Sequence, residues 1–182
     1  MGEPPASAGL SHDAAIVARQ LGRPARAFRR VAVRCPWGLP AVTEQEPYDD
    51  TGAPFPTTYY LTCRHLIAAV SRIEAAGGVD RWSALVAADP ALSADLARAT
   101  AEQVAIRSEL AAGRTGADCG ASLESGIGGS QNPGQLKCLH AHVAYALARS
   151  GYLPGEAVLA ELPERWPGSG CCSISIASVE DR

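Results

Sequence analysis

Phe28-Arg29-Arg30-Val31-Ala32-Val33-Arg34-Cys35-Pro36-Trp37-Gly38-Leu39-Pro40-Ala41-Val42-Thr43-Glu44-Gln45-Glu46 reads as a strand, a turn and a returning strand. Val31 and Val33 recur at a period of two, so they face one way on an extended chain. Pro36, Gly38 and Pro40 forbid regular structure between the two strands, and Ala41 to Glu46 returns. Pro47 to Pro56 is a loop. Thr57 to Thr62 follows as a third strand, because its tyrosines and threonines favour a pleated surface. This pattern predicts an α+β fold, with a small antiparallel sheet of about three strands packed against several helices.

The flanking segments supply those helices. Ser11 or Asp13 can cap one that runs to Leu21 and stops at Gly22. A second starts at Cys63 and runs to about Ala76, with Leu66, Ile67, Val70 and Ile73 on its apolar face and Gly77-Gly78 ending it. A short helix is expected around Arg81 to Ala88. Asp89-Pro90 pairs an N-cap with proline at the first helical position and opens a helix to about Ala112. Arg114 to Gly134 is a glycine- and serine-rich loop, a helix headed by Cys138 runs to Ser150, and a last one covers Gly155 to Leu162. Ile174 to Ala177 is a short β-like run. The expected organisation is a disordered tail over 1–10, one domain over 11–172 and a C-terminal tail over 173–182.

A chain of 182 residues with 47% hydrophobic content can bury a sizeable core, and a net charge of −3 marks no nucleic-acid binder. The chain has no apolar run long enough to cross a bilayer and no secretory leader at Met1 to Leu10, so a cytoplasmic location is expected. In that reducing compartment its six cysteines are better read as metal ligands, reactive thiols or buried residues than as disulfides. Arg19, Arg23, Arg26, Arg29, Arg30 and Arg34 form a basic segment over 19–34 with no acid in it. It could contact an anion, RNA or a protein partner, although without interleaved aromatics it reads first as a solvated arm.

Lys137-Cys138-Leu139-His140-Ala141-His142 concentrates the chemistry. On a helix Cys138 and His142 stand about 40° apart, whereas His140 lies about 160° from Cys138. The expected ligand pair is therefore Cys138 with His142. Cys35 opens the turn after the first strand, and Cys63 sits at a strand-to-helix junction. Helix N-termini stabilise anions, so Cys63 and Cys138 are suited to act as thiolates. Together Cys35, Cys63, Cys138 and His142 would make a tetrahedral Cys₃His zinc site. Cys171-Cys172 could supply a thiolate instead, which is the composition an iron–sulfur cluster takes.

Two rival functions remain open. Cys138 could be a nucleophile with His142 or His140 as its base, although no third group orients that base. The chain could also be an adaptor working through its arginine segment. His12 and His65 read as surface residues, and Cys119 lies in the long loop without partners. Gly126-Ile127-Gly128-Gly129 could offer N–H groups to an anion, but no Lys-Ser or Lys-Thr follows as a phosphate-binding loop requires.

Several of these stretches occur together in one known family. Arg34-Cys35-Pro36-Trp37-Gly38-Leu39-Pro40, Gly52-Ala53-Pro54-Phe55-Pro56-Thr57, Tyr60-Leu61-Thr62-Cys63, Gly126-Ile127-Gly128-Gly129 and Lys137 to His142 make the chain resemble the domain of unknown function 501 family. The resemblance runs from about Ala15 to Cys172; Trp37 and Ala53 depart from it, and the segment after Ser150 is less typical. It implies a small bacterial protein, often encoded beside a septum-formation initiator and an exopolyphosphatase-type phosphatase. A role linked to division or polyphosphate metabolism is the expectation that follows. The family resemblance adds no catalytic residue.

Overall fold

The computed structural model describes residues 6–132, 134–168 and 170. The fold is α+β, with one three-stranded antiparallel sheet in the order β1-β2-β3. The strands are β1 (Phe28–Arg34), β2 (Pro40–Gln45) and β3 (Tyr59–Leu61), close to the expected ranges. Pro40 opens β2, where its missing N–H costs no ladder bond. β2 is the central strand and is buried along its whole length. Its polar residues are matched: Gln45 donates to Thr43 Oγ1 at 2.6 Å, and Glu44 accepts from Arg30 Nε at 2.6 Å and Arg29 Nε at 3.0 Å. β1 is irregular, with register shifts between Phe28 and Arg30 and between Val31 and Val33.

Among the described residues six α-helices accompany the sheet: α1 (Ala6–Leu21), α2 (Arg64–Ala75), α3 (Gly78–Ala88), α4 (Pro90–Ala111), α5 (Leu139–Ala148) and α6 (Leu153–Ala160). Asp89 caps α4 as its sequence dictates, accepting from the main-chain N–H of Ala91 at 2.8 Å and of Leu92 at 3.3 Å. Several boundaries differ from expectation, those of α1 and α3 most. α1 already begins at Ala6, so residues 6–10 are helical, not a disordered tail. α3 starts at Gly78 directly after Gly77, which turns the chain with φ 79°. Gly78 must be glycine, because a Cβ there would stand 2.5 Å from the Ile73 carbonyl oxygen. The β-like run Ile174 to Ala177, with Cys171 and Cys172, lies outside the described residues.

α5 is the central helix. Leu139 and the six residues from Ala141 to Ala146 are buried, so it is covered nearly all round. It packs against α6, α2 and all three strands. The long loop before it is pinned from α4 by Arg107, a residue only 1% exposed. Arg107 donates to the carbonyls of Phe55 at 2.9 Å and Ser122 at 3.1 Å. Among the described residues no helix is long and apolar enough to cross a membrane.

Candidate metal centre

Cys138 is the N-cap of α5, with extended angles of φ −151° and ψ 114°. It therefore stands outside the helical cylinder, and its side chain does not follow the 100°-per-residue phase. Its sulfur lies 3.8 Å from Nδ1 of His140, in the first turn. The same Nδ1 lies 3.2 Å from Oε1 of Glu74, in the last turn of α2. Glu74 Oε1 also accepts the main-chain N–H of Leu139 at 2.6 Å, which ties α2 to the start of α5. Glu74, Cys138 and His140 present one sulfur, one nitrogen and one oxygen, all within 4.8 Å of one another.

The other ring nitrogen sets the tautomer. Nε2 of His140 lies 3.2 Å from the Ile67 carbonyl oxygen and 3.1 Å from Ser71 Oγ. A carbonyl only accepts, so Nε2 carries the hydrogen and Nδ1 turns its remaining site to the sulfur and the carboxylate. That point calls for a positive charge. Burial opposes a charged ring, but the Cys138 hydrogen bond and the Glu74 carboxylate outweigh it and push His140 up to about 9. Cys138 and His140 line a cleft of about 350 Å³ with Thr57, Tyr59, Leu61 and Gly128.

Among the described residues the structure does not bring the expected Cys35, Cys63, Cys138 and His142 into one group. His142 does not join Cys138; it is fully buried in the core. Its Nδ1 lies 2.7 Å from the Tyr152 hydroxyl, and its ring stacks on Tyr152. Nε2 of His142 meets no hydrogen-bond partner. Burial alone drives this imidazole down to about 3, so it stays neutral. Cys35 and Cys63 are both buried in the main core. Cys35 N–H donates to the Leu39 carbonyl and Cys63 N–H to that of Ala41, which places the two at one end of the sheet. Among the described residues no group of three close metal-ligating atoms includes Cys35, Cys63 or His142.

Glu74 went unread in the sequence. The available signal was its spacing: Ile67, Ser71 and Glu74 are four and three residues apart, on one flank of α2. Elsewhere, Gly126 and Gly129 spend their N–H groups on a turn closed through the Ser130 and Gly126 carbonyls, so these two are not open to an anion. Three arginines of the basic segment form ion pairs within the chain: Arg29 pairs with Glu44 and Glu46, Arg30 with Glu44, and Arg34 with Asp13.

A family model described as "Protein of unknown function (DUF501)" matches residues 31–160. No curated protein and no solved structure matches the chain.

Proposed function

The chain belongs to the DUF501 family, and we propose that it is a metal-binding protein whose ion sits between Cys138, His140 and Glu74. The observation that carries this reading is the convergence of Cys138 Sγ, His140 Nδ1 and Glu74 Oε1 within 4.8 Å of one another. Bonds of about 2.3 Å to sulfur and about 2.0 Å to nitrogen and oxygen put tetrahedral ligand atoms roughly 3.3–3.6 Å apart. The sulfur–nitrogen and nitrogen–oxygen separations of 3.8 and 3.2 Å need little adjustment to meet that. The Ile67 carbonyl holding Nε2–H is the outer contact that metal-bound histidines use.

One thiolate among three mixed donors favours zinc over an iron–sulfur cluster, which takes mainly thiolates. Three protein donors leave a fourth position, and two of them line the cleft, so an exchangeable ligand can reach the ion as in catalytic zinc sites. Cobalt substitution with metal analysis tests the reading. One ion per chain, with a sulfur-to-cobalt charge-transfer band lost in Cys138→Ser, is expected. Absence of both ion and band after loading would overturn it.

A second reading is favoured by the raised His140 value. A proton in place of the ion leaves an imidazolium beside Cys138, the arrangement that activates a nucleophilic cysteine. The two readings compete for the same atoms. Rapid alkylation of Cys138 by iodoacetamide at neutral pH, unaffected by added zinc, would select the nucleophile.

A further inference from the structure

We infer that the cleft beside Cys138 and His140 binds a small uncharged organic molecule, whose apolar body fills the cleft while a neutral head meets the Cys138 sulfur or its ion. The role of the cleft rests on the reading above that these two residues are the reacting groups of the site, and it holds whether an ion or a proton lies between them.

Size bounds the occupant. The cleft encloses about 350 Å³, and a water takes up about 30 Å³ of liquid, so on the order of ten non-hydrogen atoms fill it. A nucleotide or a folded protein segment exceeds that. Thr57, Tyr60, Ile67 and Cys138 are half-buried and Ser71 is exposed, so solvent and a small solute reach the lining. Gly128 brings its loop against the head of α5, where a Cβ would stand 3.2 Å from Ala141 Cβ and 3.6 Å from Cys138 Cβ. That contact makes a close wall beside the sulfur.

Charge bounds it further. Leu61, Ile67 and Ala141 make the wall mainly apolar, and no aspartate, glutamate, arginine or lysine is among the described residues that line it. The cations nearby are turned elsewhere: Arg23 stands over the Tyr60 ring at 5.9 Å, and Lys137 donates to the Gly129 carbonyl at 3.2 Å. A divalent ion between the Cys138 thiolate and the Glu74 carboxylate is neutralised by them, and a proton on His140 in its place is neutralised by Glu74 alone. Neither form offers a net positive charge, so an anion would lose its hydration in the cleft without a counter-ion. An uncharged body loses only its contact with water, which favours entry.

The test is the rate at which N-methyl-, N-ethyl-, N-propyl- and N-butylmaleimide label Cys138 in the full-length chain, as purified and again after chelation. In each reaction the sulfur bonds to one carbon of the ring double bond and the thiol proton ends on the other, so only the tail differs. Site-resolved mass spectrometry should show the Cys138 rate rising by up to about fourfold per added methylene, the gain for burying a CH₂. Cys119, which is exposed and away from the cleft, should show no such rise. N-(2-carboxyethyl)maleimide, close to the butyl reagent in length, should label Cys138 no faster than the methyl reagent. A flat series at Cys138, an equal rise at Cys119, or equal rates for the butyl and carboxyethyl reagents would overturn the inference, as would failure to label Cys138 in either state. Zinc uptake, measured separately, keeps the two readings apart. A flat series in a zinc-binding chain strikes the cleft alone, and a rising series in a chain that takes up no zinc strikes the metal alone.

Discussion

The sulfur of Cys138 lies 3.8 Å from Nδ1 of His140, only two residues along the chain. A regular helix would hold these side chains on nearly opposite sides. They meet because Cys138 keeps extended angles at the N-cap while His140 sits in the first turn. His142, which helical phase would pair with Cys138, is instead sealed against Tyr152.

His140→Ala should empty the metal site, and His142→Ala should leave its metal content unchanged. The His142 variant should instead lose about 2–4 kcal/mol of stability, the cost of a cavity and a broken buried contact. Cys138→Ser should lose the metal, whereas Cys35→Ser should keep it. Metal per chain and urea unfolding, measured on all four variants, check the set. Metal retained in His140→Ala would refute the trio.

Glu74 does two jobs that substitution can separate. Glu74→Gln retains an oxygen for the Leu139 N–H but loses the charge, so it should weaken metal binding with little loss of stability. Glu74→Ala removes both, and should cost about 1–2 kcal/mol, as the loss of a helix cap does. Denaturant melts of the metal-free proteins isolate the cap contribution.

Metal affinity should depend on pH in a definite direction. His140 is held protonated up to about 9, so an ion must displace that proton at neutral pH. Affinity should rise by about tenfold per pH unit for this proton between pH 7 and 9, then level off. Competition against a chelator of known affinity at several pH values measures the slope. A flat profile would mean that Nδ1 of His140 is not a ligand.

His142 sets a second pH dependence, on the stability of the fold. Its folded value is lowered to about 3, below its usual unfolded value of about 6.5. Above pH 6.5 both states are neutral and nothing is lost. As pH falls from 6.5 toward 3 only the unfolded chain gains the proton, so stability drops by up to about 1.4 kcal/mol per pH unit. His142→Leu should flatten the stability profile between pH 6.5 and 5 by one proton. An unchanged slope would show that the imidazole titrates in the folded state.

Much of the architecture was legible because its signals are local. The two-residue period around Val31 and Val33, the Pro/Gly turn after Cys35 and the Thr/Tyr run placed all three strands. Asp89-Pro90 placed the start of α4 for the same reason, since a cap acts on N–H groups two and three residues away. α1 was less legible. The caps Ser11 and Asp13 suggested a later start than Ala6, because capping residues also occur within helices.

Sequence alone determined the α+β class, the strand and helix order, and the concentration of chemistry at Cys138 to His142. Each depends on backbone preference and on hydrophobic period over a few residues. Only the tertiary structure decided which of those groups meet. Glu74 stands 65 positions from the Leu139 N–H that it accepts, and no local pattern encodes how α2 lies across α5. That His140, and not His142, lies beside the Cys138 sulfur turned on one residue of helix boundary. Each residue of helix turns a side chain by about 100°, so placing Cys138 outside the helix rather than inside it reassigns every neighbour of its sulfur.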